Sequence, residues 1–321
     1  MEPANILTLT KTNSVLKLDL SKGGKIIDLI LDNHIIIKSP NSSDFLADGS
    51  FLMFPWNSRL ESTKIEEKSV FGKEMKFLPE FVDGNKTPLH GLFAKTRREI
   101  VEFGPNFVKV RPIVDEIQTK NEGFLEVIPD FDELFILSEK KLTIVTEFYR
   151  KKIQIHNKLH FSFGYHPYFQ IDEEKIDDLI IETNMTDSML LDEKLLPVKT
   201  GNSYTFKKID LNGAIQSKNF DSCFTREIKE SVNFFSIRSP HSNLKLTIND
   251  DLANFKDEKL KLDEQKQIRM PFITVYTPDR SRIAIEPQSS GPNSYFMSQE
   301  NLVQMGEHED FKFSIFNIEL N

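Results

Sequence analysis

The sequence has little with which to staple, anchor or attract. It contains one cysteine, Cys223, so an intrachain disulfide is excluded, and no Cys/His cluster has the spacing of a zinc site. Positive charge is in deficit. Lys and Arg number 41 against 49 Asp and Glu, a formal net charge of −8. Such a surface repels phosphate backbones, which argues against nucleic acid as a partner. Long apolar runs are missing too. The most apolar early stretch, IIDLILDNHIII, is interrupted by Asp28, Asp32 and His34 and is too short to cross a bilayer, so no membrane partner is expected. The opening MEPANILTLTKTNS has no basic segment followed by an apolar one, so a secretory signal is not expected. With the scarcity of cysteine, this points to a cytoplasmic protein.

Helical spacing is scarce as well. Asp251 to Gln267 has good helix formers for a turn or two, and Glu173 to Ile181 reads as a loop leading into a strand. What fills the chain instead is alternation with period two. VLKLDL (Val15 to Leu20), LKLTI (Leu244 to Ile248) and RIAIE (Arg282 to Glu286) set apolar residues against polar or small ones. FKFSIFNIEL (Phe311 to Leu320) alternates but changes phase between Ile315 and Phe316, which a bulge or a change of facing sheet would explain. Breakers recur at short intervals, as at Ser21–Gly24, Asn212-Gly213 and Ser290–Pro292. No linker, low-complexity tract or short repeat divides the chain. The expectation is an all-β fold, a large antiparallel β-sandwich over residues 1–321 as one domain, with two β domains as the alternative.

Two segments share a construction. In FSFGYHPYFQI, Ser162, Gly164 and His166 lie on one face and Phe161, Phe163 and Tyr165 on the other. Pro167 then ends the ladder. Small residues beside His166 suggest a trough in which a ligand lies against the backbone. In RIAIEP, Ile283 and Ile285 take one face, and Arg282, Ala284 and Glu286 the other, again before a proline. A histidine and a glutamate facing one pocket suit a general acid and a general base. Taken singly, each is also compatible with a structural or solvent-exposed role.

Other polar groups lie near breakers. In FPWNSRL, Trp56 could stack on the C–H face of a sugar and Arg59 could donate to hydroxyls. The plainer reading puts Trp56 in the core and pairs Arg59 with a carboxylate. PLHG places His90 in a turn. NFDSCF places Asp221 between aromatics, where its carboxylate could accept from vicinal hydroxyls or close an Asx-turn. Arg97-Arg98 reads most simply as a solvated edge.

Taken in order, FPWNSRL, PLHG, GYHPYF, FDSCF, VYTPDRSRIAIEPQS and LVQMGEHEDFKFSIFNIEL resemble the aldose 1-epimerase (galactose mutarotase) family over nearly the whole chain. The resemblance implies a large antiparallel β-sandwich. It implies that His166 protonates the ring oxygen of an aldose and that Glu286 takes the proton of the anomeric hydroxyl. His90, Arg59 and Asp221 would bind the sugar, and no metal or organic cofactor would be needed. The sequence departs from the family pattern at Ser58, with Asn57 one place early, at Ala94 beside Lys95, and in lacking a tryptophan shortly beyond.

These expectations favour an isomerase acting on a free hexose. One alternative is a hexose-6-phosphate 1-epimerase, for which Lys95, Arg97 and Arg98 are the candidate cations. Another is a sugar-binding sandwich without turnover. A glycoside hydrolase is disfavoured, because hydrolysis normally uses two carboxyl groups. The chain could act as a monomer or a homodimer.

Overall fold

The computed structural model describes residues 5–39, 44–65, 74–151, 158–226, 232–252 and 262–321. Its fold is an antiparallel β-sandwich, as the alternation predicts. The larger sheet has nine strands. In spatial order they are Arg98–Gly104, Phe107–Pro112, Asp130–Leu137, Lys141–Tyr149, Phe311–Leu320, Lys245–Asn249, Phe234–Arg238, Ile180–Thr183 and Gly213–Ala214. The second has eight strands. Phe206–Lys208, Asp187–Met189, Asp221–Thr225, Phe272–Tyr276, Ile283–Gln288, Gly164–Tyr165 and Leu52–Met53 follow one another, and Tyr168–Phe169 also pairs with Ile283–Gln288. A four-stranded meander runs through Ile6–Lys11, Ser14–Asp19, Lys25–Leu31 and His34–Lys38. Among the described residues the α-helices are Glu116–Lys120 and Glu122–Leu125, and no helix is long and apolar enough to cross a membrane.

The core lies between the two large sheets. Ile273, Val275, Ile283 and Ile285 from one join Phe148, Phe316 and Ile318 from the other in a single apolar cluster. Tyr165 stacks on Phe316 with ring centroids 4.8 Å apart, and Phe163 packs on Phe148 at the same distance. Burying one such side chain contributes about 1.5–3 kcal/mol. With the odd-numbered residues of Ile283–Gln288 turned to this core, Glu286 and Gln288 must face the other way.

Phe311–Leu320 contains no bulge against its neighbour. Its pairing with Lys141–Tyr149 runs unbroken from Phe311 opposite Tyr149 to Glu319 opposite Lys141. The phase change in its sequence is a change of apolar face. Phe313 and Ile315 join a separate cluster with Leu134 and Val145 on the sheet's far side. Phe316, Ile318 and Leu320 enter the main core. Both faces are covered there, so both carry hydrophobic residues in turn.

Glu173 to Ile181 is a loop with a 3-10 turn at Ile176–Asp178 that leads into the strand Ile180–Thr183, as expected. Within Asp251 to Gln267, residues 253–261 lie outside the described residues. Glu264–Lys266 forms one 3-10 turn, with Asp263 accepting from the Gln265 backbone N–H.

Candidate active site

The outer face of the second sheet carries a cleft of about 320 Å³, at the lower end of the size range for small-molecule sites. Its floor is set by strand register. Asp221 is opposite Tyr276. Tyr276 is opposite Ala284, and Thr274 opposite Glu286. Ala284 is in turn opposite Tyr168. These residues share one face and converge because four neighbouring strands bring them together, although up to 118 positions separate them in the chain. His166 follows Tyr165, whose ring is anchored in the core, and its backbone N–H donates to the Phe51 carbonyl at 2.9 Å. Pro167 cannot continue the ladder, so the imidazole stands at a strand break above the sheet.

His166 and Glu286 meet. Nε2 of His166 lies 3.2 Å from Oε1 of Glu286, and both side chains are almost wholly buried while lining the cleft. The imidazole is clamped on three sides. Phe51 stacks on it at 5.0 Å, Tyr168 tilts over it at 4.9 Å, and His90 meets it edge-on at 5.1 Å. His90 itself has φ +58 and is followed by Gly91 at φ +81. Glycine is required there. A Cβ on Gly91 would come within 2.0 Å of the Phe54 carbonyl oxygen.

Burial dominates the electrostatics. It raises the Glu286 carboxyl well above the usual carboxylate range, with Asp221 adding to the effect and Arg59 and the Gln288 hydrogen bond opposing it. It lowers His166 to about 3, with smaller effects from its own backbone, which opposes the shift, and from Lys25 and Arg59. His90 is lowered well below its ordinary value by burial, then by His166 and Arg59. Two buried groups that both disfavour charge share one proton most easily as a neutral acid and a neutral imidazole. The ionised form of the pair differs only in where that proton sits along a 3.2 Å line.

Arg59 pairs with a carboxylate, as its plainer reading has it, and also lines the cleft. Its Nε donates to Asp83 at 3.0 Å, and its terminal nitrogen lies 4.0 Å from Asp221 at the cleft. Burial raises Asp221 and Arg59 opposes that rise. His90, Asp221 and Arg59 all line the cleft with His166 and Glu286.

Trp56 does not. It is fully buried, with its ring 4.7 Å from Phe77 and 6.3 Å from Phe124. It is a core residue and offers no face to a ligand, as the plainer reading of FPWNSRL has it. The aromatics at the cleft are Tyr168 and Tyr276, and Tyr168 was legible as the second residue after His166 on the same face. The small residues beside His166 leave no ligand trough either. Ser162 is buried with its hydroxyl 2.9 Å from that of Ser294. A Cβ on Gly164 would lie 2.9 Å from both Met53 Cε and Gln288 Cγ, so neighbouring side chains fill that space.

The candidate phosphate-binding cations are placed elsewhere. Arg98 is buried, not on a solvated edge, and its Nε donates to Glu133 at 2.9 Å. Lys95 lies over the Phe81 ring at 4.2 Å, and Arg97 is exposed. None of the three lines the cleft. Among the departures from the family pattern, Ser58 lines the cleft while Asn57 is fully buried behind it, and Ala94 packs with Phe51 and Met53. Arg282 and Thr274 also line the cleft without having been singled out. No group of three or more His, Cys, Asp or Glu among the described residues is arranged to hold a metal ion.

A family model described as aldose 1-epimerase matches residues 6–301. No curated protein sequence matches the chain. Among solved structures, the chain is similar to a galactose mutarotase related enzyme from Lactobacillus acidophilus, at 13% identity and a TM-score of 0.71, with 98% of this chain and 97% of that one covered. It is also similar to the Slr1438 protein of Synechocystis sp. PCC 6803, at 17% identity and a TM-score of 0.70, with 98% and 95% covered. A galactose mutarotase-like protein from Lactobacillus casei ATCC 334 matches at 13% identity and a TM-score of 0.66, with 98% and 100% covered. At such identities these likenesses concern the fold.

Proposed function

Because the chain belongs to the aldose 1-epimerase family, we propose that it interconverts the α and β anomers of a free hexose by acid/base ring opening and closure. The observation that carries this reading is the 3.2 Å approach of His166 Nε2 to Glu286 Oε1 on the wall of a sugar-sized cleft. The ring oxygen and the anomeric hydroxyl share one carbon. Acid and base must therefore stand side by side, as these two do.

In the forward step His166 delivers a proton to the ring oxygen while Glu286 takes one from the anomeric hydroxyl. The ring C–O bond breaks and the aldehyde forms. The step proceeds from the ionised form of the pair, imidazolium beside carboxylate, and both partners end neutral, the state their burial favours. Rotation about C1–C2 presents the other carbonyl face, and closure returns both protons. General acid/base catalysis of this kind contributes typically ~10²–10⁴-fold, and holding the sugar in place adds to it. Arg59, His90 and Asp221 are the groups proposed to hold sugar hydroxyls, and Tyr168 and Tyr276 the ones to flank the ring.

An unphosphorylated substrate is favoured by the charge of the cleft. Its two arginines are already engaged, Arg59 with Asp83 and Arg282 with Asp279. Asp44 and Asp221 add negative charge to the lining. The test is polarimetry on freshly dissolved α-glucose, α-galactose and a hexose 6-phosphate, with sugar-induced shifts in melting temperature measured alongside. Acceleration with a free aldose supports the proposal. Acceleration confined to the phosphate, or a thermal shift without any acceleration, replaces it with one of the alternatives.

A further inference from the structure

Behind Glu286 lies a chain of amides that can be oriented only one way. It begins at the backbone carbonyl of Ser290, which can only accept. Asn57 Nδ2 donates to that oxygen at 2.7 Å and to Gln288 Oε1 at 2.8 Å. With its oxygen turned to Asn57, Gln288 must turn its Nε2 outward. That nitrogen donates to Glu286 Oε2 at 3.1 Å and to the Ser58 hydroxyl at 3.0 Å. Asn57, Gln288 and Ser290 are fully buried, so a flipped amide would have no water to repair its hydrogen bonds. Flipping Asn57 would set oxygen against the Ser290 carbonyl. Flipping Gln288 would set N–H against N–H at Asn57.

We propose that Asn57 and Gln288 are positioning residues that fix which oxygen of Glu286 exchanges a proton with the cleft. The proposal rests on the reading of Glu286 as a reacting group. A nitrogen donor held against Oε2 favours that oxygen as the carbonyl acceptor, because a carboxyl hydroxyl accepts more weakly. The proton is thereby directed to Oε1, the oxygen 3.2 Å from His166 Nε2. The relay is built from strand geometry and one loop. Glu286 and Gln288 are two apart on one strand and share a face. Asn57 arrives beside them just before Ser58, which turns the chain with φ +51. An asparagine one place earlier than the family pattern thus faces inward, leaving the cleft position to Ser58.

The test compares unmodified protein with Gln288→Met, Asn57→Ala and the double variant. Three quantities are read in each: the NMR titration of the Glu286 side-chain carboxyl, the anomerisation rate, and the affinity for glucose or galactose. Each single variant is expected to titrate at Glu286 above the unmodified protein and to lose about 10–100-fold in rate, the factor for one hydrogen bond to a charged group. Sugar affinity stays within a few-fold. The double variant is no slower than Gln288→Met alone, because both changes break one relay. Should the variants fail to fold, the unmodified protein remains informative. The Gln288 side-chain amide protons are expected to exchange slowly and to shift as Glu286 titrates. An unchanged Glu286 titration in folded Gln288→Met, additive losses in the double variant, or Gln288 amide signals indifferent to Glu286 would overturn the proposal. If the unmodified protein turns over no aldose, the functional reading falls, while the carboxyl titration still judges the relay.

Discussion

Removing the guanidinium of Arg98 separates a structural cation from a phosphate-binding one. Its side chain is fully buried and that of Glu133 nearly so, with Nε 2.9 Å from the carboxylate. A terminal nitrogen also donates to the carbonyls of Thr96 and Phe93 at 2.7 and 3.3 Å. Arg98→Met leaves Glu133 buried and uncompensated, a defect that costs about 3–5 kcal/mol. In a chain of this size that lowers Tm by about 4–7 °C. Burial already raises the Glu133 carboxyl, with Arg98 opposing the rise, so the variant raises it further. A carboxyl whose folded pKa exceeds its unfolded one destabilises the protein once pH passes the unfolded value. The deficit of Arg98→Met is therefore largest near neutrality and shrinks as pH falls and Glu133 enters the core uncharged. The double change Arg98→Met, Glu133→Met is expected to recover most of the loss. Calorimetric melts from acid to neutral pH, with polarimetry on the folded variants, read all of this. A loss below about 1 kcal/mol, the worth of a surface pair, or a stability deficit that does not change with pH, would refute the reasoning.

Three further outcomes follow from the cleft. Activity requires one proton on the His166–Glu286 pair, so kcat/KM is expected to fall in acid toward about 3, where His166 takes a second proton, and on the basic side only well above the ordinary carboxylate range, where the pair loses its only one. Loss of activity on acidification through the ordinary histidine value would contradict this. Gly91→Ala forces a Cβ against the Phe54 carbonyl at φ +81, so it should cost about 1–3 kcal/mol of backbone strain and displace His90, lowering both Tm and sugar affinity. Trp56→Phe should lower stability by less than the ~3–5 kcal/mol of truncation to alanine, read as a drop in Tm, and leave sugar affinity unchanged. A large loss of affinity would return Trp56 to the binding surface.

What the sequence revealed were faces, and what it withheld were neighbours. The alternation of RIAIEP turned Ile283 and Ile285 inward and Glu286 outward, and the sheet does the same. Pro167 marked where His166 leaves the ladder. The phase change in Phe311–Leu320 was visible, but not that both faces of that strand are covered, because the covering residues come from elsewhere in the chain. The smallness of Gly164 was legible and its reason was not. Met53 and Gln288 fill the space, and they lie more than a hundred positions away on either side. Arg98 looked exposed because its partner Glu133 is on another strand. Trp56 could be placed in the core only once Phe77 and Phe124 were known to surround it. The pairing of Asn57 with Gln288 spans 231 positions, beyond the reach of local pattern.

The most direct measurement is magnetisation exchange between the anomeric proton signals of glucose or galactose, with unmodified protein and with Glu286→Gln and His166→Asn. The predicted result is rapid exchange with unmodified protein and a loss of about 10²–10⁴-fold in either variant, while both variants still bind the sugar. Full exchange with Glu286→Gln, or none with any free aldose in the unmodified protein, contradicts it.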